Sequence, residues 1–118
     1  MVNDNMRSLW AQYVDELLGG YKKFIECEWG FISYSFPTWI DAVQVEELYI
    51  VPEQRKHGRG RELFDRVCEI GREQKKEFVI AQLEMNSVVV GESIKAHLAV
   101  GLVPVAAELG KILMRKKL

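Results

Sequence analysis

Apolar residues recur along the first part of the chain at intervals of three and four, which predicts an amphipathic helix. The helix has a candidate N-cap at Asn3 or Asp4 and ends at Gly19-Gly20, where the chain is free to turn left-handed. We expect the apolar stripe to cover one face of a sheet; a stripe that stayed exposed would instead bind a partner. The stripe consists of Met6, Leu9, Trp10, Tyr13, Val14, Leu17 and Leu18.

The pattern then changes to the alternation of a β-strand. Residues 21–36 are rich in aromatic and β-branched side chains, which favours strand. Gly30 interrupts the alternation and marks either a bulge in one long strand or the turn between two short ones. Trp39 follows in a loop after Pro37, where it forms either a wall of a binding site or an aromatic lid on the core.

The stretch from Glu46 to Arg66 combines a strand, a basic loop and a helix. Residues 47–51 are aromatic or branched enough to predict a mostly buried strand, which Pro52 ends because it lacks an N–H for the ladder. From Leu63 onward the apolar residues fall on one helical face. The sequence therefore predicts a strand–loop–helix junction in the middle of the chain.

The loop at this junction, residues 55–61, reads R-K-H-G-R-G-R and carries four positive charges. The first N–H groups of a helix lack intrahelical partners and point outward at the positive end of its dipole. Gly58 and Gly60 permit positive φ and the close approach of a ligand to the backbone. These features together predict an anion site, and phosphate is the anion most often bound at such sites.

The second half of the chain completes an α/β pattern. Residues 78–83 are almost continuously apolar, as in a strand that is buried on both faces. The order strand, helix, strand over residues 44–84 implies parallel pairing through a right-handed crossover. A shorter helix from Glu92 to Val100 ends at Gly101 and precedes a closing hairpin. The predicted class is α/β or α+β with a central mixed sheet.

Composition places limits on function. A length of 118 residues suits one compact domain over 1–118, and a net charge of −1 argues against a general nucleic-acid binder. Cys27 and Cys68 lie in apolar patterns, so we expect reduced core cysteines. No apolar run approaches the roughly 20 residues that a membrane helix needs. We therefore expect no membrane partner and a cytoplasmic location.

Two motifs resemble those of the GNAT acetyltransferase superfamily. The segment LYIVPEQRKHGRGRELF is similar to its acetyl-CoA-binding motif, in which an apolar strand leads to R/Q-x-x-G-x-G/A at the start of a helix. Arg55, Gly58 and Gly60 match that pattern. The later AHLAVGLVPV resembles the helix of this family that ends in a glycine turn, usually Y-x-x-x-G-F, with Gly101 as its glycine. The two motifs occur in the order that the family shows.

The resemblance implies a GNAT-like fold, a central mixed β-sheet flanked by helices, with acetyl-CoA wedged where two parallel strands splay apart. It implies acetyl-CoA as the cosubstrate and no metal ion. In this family the loop amides hold the pyrophosphate, and the strand before the loop hydrogen-bonds the pantetheine. Carried over to this chain, pyrophosphate binding falls to Arg55, Lys56, His57, Gly58, Arg59 and Gly60, and pantetheine binding to Tyr49, Ile50 and Val51.

The implied reaction is direct attack of an amine on the thioester, which requires a group that takes the proton of the amine. The family often places a glutamate on the strand before the loop, and Glu46 and Glu47 both qualify. Successive strand residues point to opposite faces, so we expect at most one of them to face the substrate. The tyrosine that often serves as general acid is replaced by His97, an alternative proton donor.

The chain is shorter than most GNAT enzymes, and the resemblance implies that part of the usual acceptor wall is missing. An open acceptor side would suit a protein lysine or N-terminus; a small polyamine or antibiotic is the other acceptor class. An open acceptor side would equally suit a homodimer in which the partner subunit supplies the missing wall. The alternative function is a non-catalytic binding module with the GNAT fold, for which Trp29 and Trp39 are candidate contacts. Binding of RNA or DNA phosphates by the basic loop is a third hypothesis.

Overall fold

The computed structural model describes residues 8–17 and 19–118. Within them, six strands form one mixed sheet and three α-helices pack against it, with a short 3-10 turn at Pro52–Gln54. The helices are α1 (Leu9–Leu17), α2 (Arg59–Glu73) and α3 (Val90–Ala99), and the strands are β1 (Lys23–Cys27), β2 (Gly30–Ser35), β3 (Ala42–Ile50), β4 (Phe78–Glu84), β5 (Val103–Glu108) and β6 (Lys111–Lys117). The strand order is β1-β2-β3-β4-β6-β5, so β1 and β5 form the two edges.

The first two strands form a hairpin, which decides the role of Gly30. Cys27 pairs with Gly30, so the turn consists of Glu28 and Trp29 alone, and Gly30 begins β2. Gly30 also lies opposite Ile50 of β3. A Cβ at Gly30 would collide with the carbonyl oxygen of Tyr49, so glycine permits the close approach of β2 to β3 here.

The predicted βαβ unit is present, but its two strands pair only briefly. β3 and β4 are parallel and are joined through α2. Their ladder is limited to Ala42–Gln44 on β3 and Phe78–Ile80 on β4. Beyond these residues β3 continues to pair with β2, and β4 continues to pair with β6. The two central strands therefore separate towards their carboxyl ends.

A β-bulge accompanies this separation. Ser33 lies opposite Glu47 and Tyr34 lies opposite Val45, so Glu46 is an extra residue in β3. A bulge bends the strand that carries it and increases its local twist. The bulge comes shortly after Gln44, the last residue of β3 that pairs with β4, where β3 bends away from β4.

The prediction of a mostly buried strand over residues 47–51 is wrong. Glu47, Leu48 and Tyr49 are exposed, whereas the buried part of β3 is its start, at Ala42 and Val43. The reason is the separation of the strands, because the second half of β3 has a neighbour on one side only. β3 is long enough for a central strand, but its second half borders the gap between β3 and β4.

The core lies between the sheet and α2. The apolar face predicted from Leu63 onward is confirmed, with Leu63, Phe64, Val67 and Cys68 buried. Both cysteines are free, and burial raises the pKa of the Cys68 thiol. The main buried cluster comprises Ile25, Trp29, Ile32, Val43, Leu63, Phe64, Val67, Cys68, Val79, Ala81, Leu102 and Met114.

Helix α1 covers the other face of the sheet, at β1 and β2. Ser8 caps it, since the Ser8 Oγ accepts a hydrogen bond from the Ala11 N–H at 3.0 Å. The Trp10 ring packs on Phe24 and Phe31, with centroid distances of 5.3 and 5.4 Å. Other positions of the predicted stripe, Leu9, Tyr13 and Leu17, remain exposed. The predicted cap at Asn3 or Asp4 and the stripe residues Met6 and Leu18 lie outside the described residues.

The end of α3 and the closing hairpin follow the sequence prediction. Gly101 has φ 98° directly after the helix, and the Leu102 N–H donates to the His97 carbonyl at 3.0 Å. This hydrogen bond is that of a Schellman motif. Strands β5 and β6 then pair antiparallel, with β6 next to β4. No helix in the described part of the chain is long and apolar enough to cross a membrane.

We expect Gly71→Ala to destabilise the fold. A Cβ at Gly71 would lie 2.6 Å from Leu118 Cδ1 and 2.8 Å from Val43 Cγ1, so the partly buried Leu118 and the fully buried Val43 would have to move. Overpacking of this kind typically costs about 1–3 kcal/mol. Urea denaturation measures the loss, with Gly91→Ala as the control because a Cβ there meets nothing within 4 Å. Equal stabilities for the two variants would contradict the packing described for α2.

Candidate active site

The separation of β3 and β4 opens a cavity of about 480 Å³. Its walls come from both strands, from the first turns of α2 and from one side of α3. This volume lies within the range of small-molecule and cofactor sites. The lining residues are Ile32, Val45, Glu46, Glu47, Leu48, Gly60, Arg61, Phe64, Ala81, Gln82, Leu83, Ser93, Ala96, His97, Ala99 and Val100.

The N-terminus of α2 forms one end of the cavity. Gly58 is the N-cap and has φ 78°, a left-handed conformation that other residues rarely adopt. The first closing hydrogen bond of the helix runs from the Glu62 N–H to the Gly58 carbonyl at 3.1 Å. The N–H groups before it are those that a helix leaves without intrahelical partners. Gly60 lies among them and lines the cavity, so this end can accept an anion.

The two arginines Arg55 and Arg59 of the loop make different contacts. Arg55 donates from its Nε to the Ile50 carbonyl at 2.9 Å and lies over the Tyr49 ring. Arg59 packs its guanidinium 5.0 Å from the centre of the Trp29 ring, and its Nε is buried without a hydrogen-bond partner among the described residues. An unpaired buried donor beside a helix N-terminus is a group that a bound anion would satisfy.

Two further predicted loop residues, Lys56 and His57, are exposed, and Lys56 has φ 65°. Among the six predicted pyrophosphate residues, Gly60 alone lines the cavity. The pyrophosphate role of the loop as a whole stays a prediction.

The predicted pantetheine residues lie beyond the cavity wall. Tyr49 stacks on Phe31 with a centroid distance of 6.2 Å, on the face that carries α1. The Val51 N–H donates to the Trp29 carbonyl at 2.9 Å. The part of β3 that lines the cavity is earlier, from Val45 to Leu48. The roles assigned to Tyr49, Ile50 and Val51 therefore stay predictions.

Glu46 and Glu47 share one face of the sheet, so the prediction that they point to opposite faces is wrong. The Ser35 Oγ donates to Glu46, and the Ser33 Oγ donates to Glu47 at 2.8 Å. The two serines are alternate residues of β2 and lie on the same face, so their acceptors do too. The physical reason is the bulge, because the extra residue at Glu46 breaks the alternation of β3.

The two carboxylates have different electrostatic surroundings. Glu47 accepts a hydrogen bond from the Lys22 ammonium at 3.0 Å, in addition to that from Ser33. Burial alone would raise the pKa of Glu47, but the contacts with Lys22 and Ser33 outweigh it and hold this pKa below its usual value. Glu46 forms no ion pair within the described part of the chain and accepts from Ser35. Of the two carboxylates, Glu46 is therefore the one that no cation of the described residues contacts.

His97 lies on the α3 wall of the same cavity. Its Nδ1 is 2.6 Å from the Ser93 carbonyl oxygen. A carbonyl can only accept, so Nδ1 carries a hydrogen and Nε2 is the nitrogen that can exchange a proton. His97 can thus donate from Nε2 only as the imidazolium. The structure brings Glu46, Glu47 and His97 to one cavity, although they come from two different elements.

Several site residues or their contacts were not identified from the sequence, which predicted Arg61 only as one of the four charges of the basic loop. Arg61 lines the cavity and donates to the Ala99 carbonyl at 3.4 Å, which connects α2 with α3. Ser33 and Ser35, which are both fully buried, donate hydrogen bonds to the carboxylates of Glu47 and Glu46. Their signal in the sequence is a pair of small polar residues at alternate positions of a strand that also carries Phe31, Ile32 and Tyr34. No comparable signal marks Lys22.

A second cavity of about 460 Å³ lies beside the first, and Gln82 lines both. Trp39 forms part of its wall and is 58% exposed. Trp39 is therefore a wall of a cavity and not a lid on the core. Glu108 and Lys111 supply charged groups to the same wall.

A mixed sheet whose two parallel central strands separate beside a glycine-containing helix N-terminus is the fold of the GNAT acetyltransferases, and the predicted fold is confirmed. The solved structure described as a GNAT-family acetyltransferase of Desulfovibrio desulfuricans is 20% identical, covers 90% of this chain and 77% of that one, and has a TM-score of 0.74.

Two other solved structures are similar. A GNAT-family acetyltransferase from Elizabethkingia anophelis with acetyl-CoA bound is 12% identical over 100% of this chain and 97% of that one, with a TM-score of 0.69. The PaiA N-acetyltransferase of Thermoplasma acidophilum in complex with coenzyme A is 17% identical over 89% of this chain and 66% of that one, with a TM-score of 0.67. No family model and no curated protein sequence matches the chain.

We expect Lys22→Met to raise the pKa of Glu47, because the ammonium contributes both a hydrogen bond and a charge that lower it. A pKa depressed by folding stabilises the fold when the carboxylate is ionised, and this contribution is lost as pH falls through the folded-state pKa. The variant should be less stable at neutral pH by about 0.5 kcal/mol, since the pair is partly exposed, and the difference should vanish in acid.

The pKa is measured by NMR titration of the side-chain carboxyl groups, and stability by urea denaturation at both pH values. Lys23→Met is the matched control, because Lys23 is the exposed neighbour of Lys22. If Glu47 titrated identically in the two variants, the Lys22–Glu47 pair would not exist in solution.

Proposed function

We propose that the protein is an acetyl-CoA-dependent N-acetyltransferase that moves an acetyl group to an amine by direct attack. One observation carries the proposal. A single cavity has the N-terminus of α2 at one end and also contains two carboxylates and an imidazole. Solved structures of the same fold hold CoA or acetyl-CoA, which supports the choice of ligand.

The residues present suit the cosubstrate. The N–H groups at Gly58–Gly60 and the unpaired Arg59 Nε are donors for a pyrophosphate. Among the described residues, no strand pairs with β3 on its β4 side beyond Gln44, so its backbone groups there are open to pair with the amides of a pantetheine. An extended ligand that adds to an open sheet edge gains affinity in this way. The bound thioester supplies the acetyl group, and the protein supplies orientation and proton transfer.

Glu46 is the proposed proton acceptor for the incoming amine. It lines the cavity, Ser35 orients it, and no cation in the described part of the chain occupies it. A carboxylate in this position can take the proton that an amine must lose before or during attack. His97 is the proposed proton donor to the departing sulfur, acting from Nε2 as the imidazolium.

The acceptor is proposed to be a cationic amine that enters from the face carrying Glu46, Glu47 and Trp39. Both carboxylates attract an ammonium group, and Trp39 offers an aromatic surface in the second cavity, which shares Gln82 with the first. A panel of lysine peptides, peptides with free N-termini, polyamines and aminoglycosides would separate a protein acceptor from a small one. CoA binding without transfer to any member of the panel would favour a non-catalytic binding module.

Acetyl-CoA should stabilise the protein against unfolding. At about 100 times the dissociation constant, a ligand adds about 2.7 kcal/mol to the unfolding free energy. Gly60→Leu should abolish this gain, because the new side chain enters the cavity, yet the fold should persist since the nearest atom to its Cβ is the mobile Leu48 Cδ2 at 3.4 Å.

Thermal denaturation with and without acetyl-CoA measures both effects. Gly91→Leu is the matched control, since Gly91 is likewise the second residue of its helix and has open space around it. The absence of any shift in the wild-type protein at millimolar acetyl-CoA would refute the proposed function.

Replacement of the proposed base should separate binding from transfer. Glu46→Gln keeps the shape of the side chain but removes its basicity, so transfer to the best acceptor of the panel should fall on the order of a hundredfold or more. Stabilisation by acetyl-CoA should be unchanged. The rate is measured by the release of the CoA thiol during acetyl transfer. Glu28→Gln is the control, because Glu28 is an exposed residue of the β1–β2 turn. An unchanged rate would exclude Glu46 as the base.

A further inference from the structure

Lys22 places a primary amine of the protein itself at the proposed reaction site. Its Nζ lies 3.0 Å from Glu47 Oε1, and Glu47 is a wall residue of the cavity between β3 and β4. A cationic acceptor is proposed to approach these same carboxylates. The position that an acceptor ammonium would take beside Glu47 is therefore held by a lysine ammonium of this chain.

The contact between Lys22 and Glu47 is closer and more enclosed than comparable pairs. Lys76 and Lys111 also face carboxylates, but at 3.9 and 3.8 Å, against 3.0 Å for Lys22. The Lys22 side chain is 18% exposed, whereas those of Lys76 and Lys111 are 29% and 51% exposed. Lys22 is thus directed towards the site and is not a solvated surface lysine.

The carboxylate that receives Lys22 is itself held in place. The fully buried Ser33 donates to the same Oε1 atom of Glu47 that Lys22 contacts, at 2.8 Å. Lys22 lies just before β1, so its side chain reaches across β2 to arrive at β3. Because Glu47 lines the cavity, the Lys22 nitrogen that contacts it lies next to the cavity wall.

We propose that Lys22 is a site of self-acetylation, at which the protein transfers an acetyl group from acetyl-CoA to its own Nζ. This inference rests on the proposed acetyltransferase function and names one acceptor for it. Lys22 first gives a proton to Glu47, and the neutral Nζ then attacks the thioester carbonyl. A C–N bond forms and the C–S bond breaks, so the sulfur leaves as the CoA thiolate. The thiolate takes up the second proton that the nitrogen loses as it becomes an amide, and nothing is oxidised or reduced.

The modification would change the charge of the site. The product is a neutral amide, so the ion pair with Glu47 is lost and the carboxylate becomes available to a cationic acceptor. Unmodified Lys22 competes with an external ammonium for Glu47. Self-acetylation therefore removes an internal competitor, and acetylated protein should bind cationic acceptors more tightly than unmodified protein does.

The test is incubation of the full chain with acetyl-CoA and no added acceptor, followed by intact mass and peptide mapping. We expect one acetyl group, on Lys22, at a rate that does not depend on protein concentration. Lys22→Arg should lose this acetyl group, and the neighbouring Lys23→Arg should keep it. Glu47→Gln should slow the modification by about a hundredfold, since it removes the proton acceptor.

Each other outcome has a definite meaning. Equal labelling of Lys22 in heat-denatured protein would show ordinary chemical acetylation and overturn the proposal. A rate that rises with protein concentration would show transfer between molecules and would overturn it as well. Stabilisation by acetyl-CoA and transfer to an external amine, with Lys22 unmodified, would overturn this inference while the proposed function stood. No stabilisation by acetyl-CoA would instead refute the function on which it rests.

Discussion

The early end of the β3–β4 ladder is the constraint on which the rest of the structure depends. Two central parallel strands pair over Ala42–Gln44 and then separate. Buried backbone N–H and C=O groups need partners, so the open edge of β3 must face water or a ligand that can hydrogen-bond to it. The separation creates the cavity, exposes the second half of β3 and leaves room for α3 to supply His97. A fully paired sheet would have none of these features.

The bulge at Glu46 gives this opening its chemistry. Without it, successive glutamates would lie on opposite faces, and one would be turned away from its partner. With it, Ser33 and Ser35 hold both carboxylates on one face. Lys22 pairs with Glu47, whereas no cation of the described residues pairs with Glu46, so two chemically identical side chains have different electrostatic surroundings.

Much of the fold could be predicted because it is encoded locally. Glycines with positive φ lie at the three turns that the sequence marks as helix boundaries, Gly19-Gly20 after α1, Gly58 before α2 and Gly101 after α3. The apolar face of α2 and the closing hairpin also follow from short-range patterns. The site was predicted less completely. Its strand–loop–helix junction is contiguous in the chain, whereas the contacts of Lys22 with Glu47 and of Arg61 with Ala99 join segments that are distant in the sequence.

The sequence by itself determined the βαβ unit, the glycine-containing start of α2 and the candidates Glu46, Glu47 and His97. These depend on backbone conformation and residue type, which act over a few positions. Tertiary structure alone decided where β3 and β4 separate, which face the glutamates share and which carboxylate Lys22 occupies. The reason is that strand register and the position of a bulge are set by pairing with neighbouring strands, and a one-residue change in register reverses the face of every later side chain.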